Sequence, residues 1–141
     1  MKVSLILLCF AILNGCSSTK DIVNTKNMQV VNATFKQWSE PPRSGSDIPE
    51  RGTNLTVMIQ NWPEAYSPQF IVRNKWKSFP TTITDSTGNR VVITGRIIRT
   101  SGMMKEKSGK VNLSDRLVFI NAEGKSGYIE INDWQRAESS N

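Results

Sequence analysis

Residues 116–134 read RLVFINAEGKSGYIEINDW, and this stretch decides the fold class. Asp115–Asn121 is a short apolar run of β-branched and aromatic residues, the types that fit a pleated, half-buried surface. Ala122-Glu123-Gly124-Lys125 supplies turn residues, with a glycine free to take positive φ. Gly127–Trp134 is a second run, so the pair reads as a β-hairpin. No stretch of the chain sustains a helical period of about 3.6 residues.

Upstream, the same punctuation repeats. Met28–Trp38 alternates, with Val31, Ala33 and Phe35 on one face and Asn32, Thr34 and Lys36 on the other. Asn54–Trp62 places Leu55, Val57 and Ile59 together. Gln69–Lys77 places Phe70, Val72 and Trp76 on one side and Arg73, Lys75 and Lys77 on the other. Thr81–Thr84 leads into the turn Asp85-Ser86-Thr87-Gly88-Asn89. Arg90–Thr100 follows as a long strand in which Gly95 reads as a bulge. Two polar stretches, Ser39–Thr53 and Ser101–Ser114, read as long loops, a length that in compact domains is often functional. Apolar runs with turn signals roughly every 8–12 positions argue for an antiparallel sandwich or barrel. The expected architecture is all-β: an antiparallel β-sandwich of immunoglobulin-like type with about seven strands. A partly open β-barrel is the alternative.

Composition narrows the chemistry. The 141 residues carry 18 Lys and Arg against 12 Asp and Glu, a formal charge of +6, and no His. Without His, the commonest general base and transition-metal ligand are missing, and Ser–His or Cys–His nucleophile pairs cannot form. The acids are scattered and mark no facing carboxylate pair of the kind a glycosidase needs. Asp47 and Glu50 fall far short of a calcium ligand set. No cofactor is expected. There is no basic arm or nucleic-acid motif, so no nucleic-acid partner is expected.

The N-terminus carries a different message. Lys2 precedes the apolar run Val3–Leu13, which is too short for a span of roughly 20 residues. It matches the core of a secretion signal. Leu13-Asn14-Gly15-Cys16 resembles a bacterial lipobox, with a small residue directly before the cysteine. That resemblance implies lipid attachment at Cys16 and cleavage before it; two or three acyl chains anchor stably where one does not. The organisation expected is a signal peptide over 1–15, a flexible tether over 16–27, the β domain over 28–135 and a polar tail over 136–141. Cys9 leaves with the signal, so no disulfide is available to the mature chain.

The combination resembles small Bacteroidota lipoproteins that are rich in β structure. The matching residues are Lys36-Gln37-Trp38 closing the first strand, a Gly/Pro loop ending Arg51-Gly52-Thr53, and the hairpin around Gly124. The resemblance implies a β fold and the phylum. It implies no activity. Separately, the absence of an Asp directly after Cys16 in Ser17-Ser18-Thr19-Lys20-Asp21 resembles the enterobacterial signal for the outer membrane, and the single late acid favours the periplasmic face over the cell surface. In that setting Asp85-Ser86-Thr87 resembles a three-residue O-glycosylation signal, which makes Ser86 a candidate acceptor.

Two residue sets are candidate contacts. The four tryptophans, Trp38, Trp62, Trp76 and Trp134, each fall near a strand end, where rings stack on sugars, anchor a partner or cap the core. By parity Trp62 opposes Val57 and Ile59 and is expected to be exposed. Arg73, Lys75 and Lys77, with Lys105, Lys107 and Lys110, form a candidate anion-contact surface or a solvated outer face. The functional expectation is a non-enzymatic, lipid-anchored module. Its partners would be the membrane, through the lipid, and an envelope protein complex or glycan. The alternatives are a lipid or small-ligand carrier with an internal cavity and, last, a carboxylate hydrolase.

Overall fold

The computed structural model describes Val23, residues 25–99 and residues 114–138. Residues 1–22, with Cys16, and Lys105, Lys107 and Lys110 lie outside the described residues. Among the described residues there are nine strands and no helix. In chain order they are β1 (Gln29–Glu40), β2 (Glu50–Gln60), β3 (Ser67–Arg73), β4 (Trp76–Lys77), β5 (Thr81–Thr87), β6 (Arg90–Arg99), β7 (Arg116–Ile120), β8 (Ser126–Glu130) and β9 (Gln135–Arg136). They form two sheets, β5-β6-β2-β1-β9 and β4-β3-β7-β8. All pairings are antiparallel except β1 with β9. The sheets do not close into a barrel.

Strand alternation fills the space between them. Leu55, Val57 and Ile59 of β2 and Ile93 of β6 meet Ile71 of β3 and Leu117 and Phe119 of β7, and all seven are fully buried. Burying a side chain of this size stabilises by about 1.5–3 kcal/mol, so the core is held without a cross-link. The β7–β8 hairpin forms as its sequence implies. Arg116 pairs with Glu130 and Ile120 with Ser126. In the turn, the Asn121 side chain accepts the Glu123 and Lys125 N–H groups at 3.0 and 2.8 Å, and Gly124 takes φ 77°.

Several expectations are corrected, each for a local reason. Val31 does not share a face with Ala33. It is the extra residue of a bulge between Val30 and Asn32, so Val30 packs on the core and Val31 is 52% exposed. The first long loop ends sooner than its Gly/Pro content implies, because Glu50–Thr53 already pair with β1. Gln69–Lys77 is not one strand. Asn74 and Lys75 take φ 50° and 70°, the two left-handed residues of a tight hairpin turn, and Trp76 folds back opposite Arg73. Asp85, Ser86 and Thr87 belong to β5, and only Gly88 and Asn89 make the turn. The last strand breaks at Glu130, and Gln135–Arg136 pair in parallel with Thr34 and Phe35, so strand pairing reaches into the expected polar tail.

Gly95 is not a bulge either: the β2–β6 register runs through it without a shift. Its missing side chain makes room for Ser78 at the crossover between the sheets. A Cβ there would lie 2.5 Å from Ser78 Oγ. That buried hydroxyl accepts the Ile71 N–H at 2.9 Å and lies 3.0 Å from Thr81 Oγ1. Gly95→Ala is expected to lower stability by about 2 kcal/mol through overpacking. Thermal unfolding would check this, and Ser78→Gly in the same background should recover part of the loss.

Candidate functional site

The tryptophans divide between the two ends of the sandwich. Trp62 is buried, not exposed, at 6% accessibility. Strand parity stops at Gln60, and Asn61, at φ 60°, turns the chain so that the next side chain enters the core. Trp62 meets Phe119 edge-on at 5.5 Å, Tyr66 stacks on Phe119 at 5.2 Å, and Trp62 Nε1 donates to the Tyr66 carbonyl at 3.3 Å. This end is an aromatic plug. Trp76 and Trp134 are half-buried against the core.

The opposite end carries the charges. Arg73 is not on a common face with Lys75 and Lys77, since Lys75 lies in the turn and Lys77 reaches over Phe70 at 5.0 Å. The Arg73 guanidinium stacks instead on Phe35 at 3.9 Å and lies 5.4 Å from the Trp134 ring. Burial holds its pKa below the ordinary value. Asp115 acts against that shift and the charge of Arg99 acts with it. Asp115 also accepts the Asn74 N–H at 2.9 Å, which ties the tight turn to the start of β7.

Beside this arrangement, Trp38 lies across Gly52, its directly opposite partner on β2. Arg96 stacks on the indole at 3.8 Å and pairs with Glu40 at 3.0 Å. Lys36-Gln37-Trp38 and Arg51-Gly52-Thr53, separate in sequence, are thus one paired patch: Trp38 meets Gly52 and Gln37 meets Thr53. The glycine is required because the indole occupies the space of its side chain. Around the patch opens a cleft of about 820 Å³, bordered by Gln37, Trp38, Ser39, Ile48, Arg51 and Arg99.

Among the described residues the structure thus brings Trp38 to the border of a cleft and sets Arg73 beside Trp134, while Trp62 lies at the other end. Ser86 is exposed on β5, opposite Val91. Arg51 and Arg99 were not singled out by sequence. Arg51 sits in a Gly/Pro-rich stretch that reads as loop, and Arg99 at the end of a strand; only the β1–β2–β6 register makes them neighbours. Among the described residues no three metal-ligating side chains cluster. No family model, curated protein or solved structure matches the chain.

Proposed function

We propose that the protein is a non-enzymatic, lipid-anchored module of the bacterial envelope. It binds a glycan or a membrane protein complex through the end of the sandwich where Trp38, Arg51 and Arg99 border the cleft. The observation that carries this reading is the cleft itself, an open concavity where Arg51, Arg99, Gln37, Ser39 and Thr53 converge, with Trp38 at its edge. The exposed loop over residues 41–48 leads into its rim. The filled core between the sheets speaks against a carrier with an internal cavity.

Strand order supports an immunoglobulin-like reading of the sandwich. The run β1-β2-β6-β5 follows the A-B-E-D order of that fold, and β3-β7-β8 follows C-F-G, with β4 as an added short strand. In such sandwiches the connecting loops gather at the two ends. The lipobox around Cys16 supports lipid anchoring, and Ser17-Ser18 directly after the cysteine, with no acid before Asp21, support the outer membrane and its periplasmic face.

Two experiments test the proposal. Cys16→Ala is expected to move the protein from the membrane pellet to the soluble fraction; retention after a carbonate wash would remove the anchor from the reading. Gentle solubilisation of the native outer membrane with a tagged chain is expected to recover a stoichiometric membrane partner, or else the protein alone with glycan-array binding. Recovery of neither sinks the binding role.

A further inference from the structure

We infer that the cleft at the Trp38 end takes an anionic saccharide, with Arg51 and Arg99 holding its carboxylate or phosphate. The inference deepens the binding reading above and rests on it. Two adjacent cross-strand rows carry the argument. In the first, Glu40 faces Glu50, a like-charge pair. Each acid has its own counterion: Arg96 lies 3.0 Å from Glu40, and Arg43 lies 3.3 Å from Glu50 in an ion pair without an aligned hydrogen bond. In the next row, Ser39 faces Arg51 and Arg51 faces Arg99. Like charges directly opposite one another destabilise a sheet. Yet among the described residues neither arginine has an ion pair, and no carboxylate borders the cleft. Among the described residues the facing acids are neutralised and the facing cations are not.

The surroundings extend the cationic pair into a site. By alternation along β2 and β6, Arg51 and Arg99 continue the face that carries Thr53 and Ile97, so both guanidinium groups emerge where the core ends and the cleft begins. Arg73 is close enough for the charge of Arg99 to act on it. Arg73 Nε and Trp134 Nε1 nearby, and Trp38 Nε1 and Arg96 Nε on the opposite face of the sheet, are buried without a hydrogen-bond partner among the described residues, and of these residues only Trp38 borders the cleft. A planar guanidinium matches a carboxylate or phosphate in bidentate fashion. A saccharide fits the remainder: Gln37, Ser39 and Thr53, on the same face as the two arginines, offer amide and hydroxyl groups, and the cleft volume is that of a small-molecule site.

The test uses the full chain in non-ionic detergent, titrated calorimetrically with tetragalacturonate, mannose 6-phosphate, neutral maltotetraose and a tetraglutamate peptide. Tetragalacturonate or mannose 6-phosphate is expected to bind, more weakly as salt rises, and whichever binds identifies the anion. Arg51→Gln with Arg99→Gln is expected to reduce that affinity by about ten- to hundredfold. The same double variant, without ligand, is expected to melt about 1–4 °C higher than the parent at low salt, because the repulsion is gone. That rise shows that the variant is folded. Equal binding of maltotetraose, unchanged in the variant, overturns the anionic assignment while leaving a glycan-binding module. Equal binding of tetraglutamate overturns the saccharide assignment in favour of an acidic protein partner. No binding of either anionic saccharide at millimolar concentration overturns the proposal, whatever a membrane pull-down recovers.

Discussion

Phe119→Ala is expected to remove about 3–5 kcal/mol of stability, a large part of the roughly 5–15 kcal/mol a domain commands. Phe119 is fully buried, stacks on Tyr66, meets Trp62 edge-on, and lies 2.8 Å from where a Gly127 side chain would begin. Truncation leaves a ring-sized void between two sheets, and neither backbone can move in to fill it without breaking ladder pairing. The loss therefore includes the transfer term, the void and the aromatic contacts, which add about 0.5–1.5 kcal/mol each. Urea unfolding followed by tryptophan emission should show the midpoint falling by about 1–3 M with the slope unchanged. Tyr128→Ala, at an exposed site under Arg116, should change stability by about 1 kcal/mol or less. A Phe119 effect as small as that would mean that the Trp62 end is not packed as described.

Gly52→Ala is expected to cost about 3 kcal/mol. The new Cβ would fall on the Ile97 carbonyl oxygen and on Cζ2 of Trp38, both far inside contact distance. Relief requires the indole to leave its seat, which also unstacks Arg96 from the ring and disturbs its pairing with Glu40. Trp38→Ala removes one of the two obstructions, so the double variant should be more stable than the two single losses predict, by about 1 kcal/mol. Strict additivity in a thermal double-mutant cycle would rule out the seat of Trp38 on Gly52. Recovery should be incomplete, because the Ile97 carbonyl stays in place.

The sequence was most readable where side-chain period and turn chemistry agree. Leu55, Val57 and Ile59 alternate into the core without interruption, and Asn121 to Lys125 make the turn that Gly124 announces. Readings failed where one residue shifts parity without a glycine or proline to mark it. Val31 bulges, Asn61 turns left-handed before Trp62, and Asn74-Lys75 reverse a strand whose charges otherwise alternate as on an outer face. Gly95 and Gly52 were visible as glycines, but what they accommodate comes from Ser78 and Trp38, far away in sequence. The candidate site was half legible. Trp38 was nameable from its place at a strand end, whereas Arg51 and Arg99 become a pair only through the register of three strands.

The parallel pairing of β9 with β1 sets an order on assembly. β1 is the first strand of the sheet, and the edge it presents is met by Gln135 and Arg136, with the Ala137 N–H donating to the Phe35 carbonyl at 2.9 Å. Nearly the whole domain separates these partners along the chain, and β2 likewise waits for β6 across three intervening strands. Such distant pairings make folding slow, because chain closure comes before the contacts that reward it. A chain still being synthesised therefore holds a β1 edge open to intermolecular pairing until residue 137 has emerged, and the interval of greatest aggregation risk is synthesis itself.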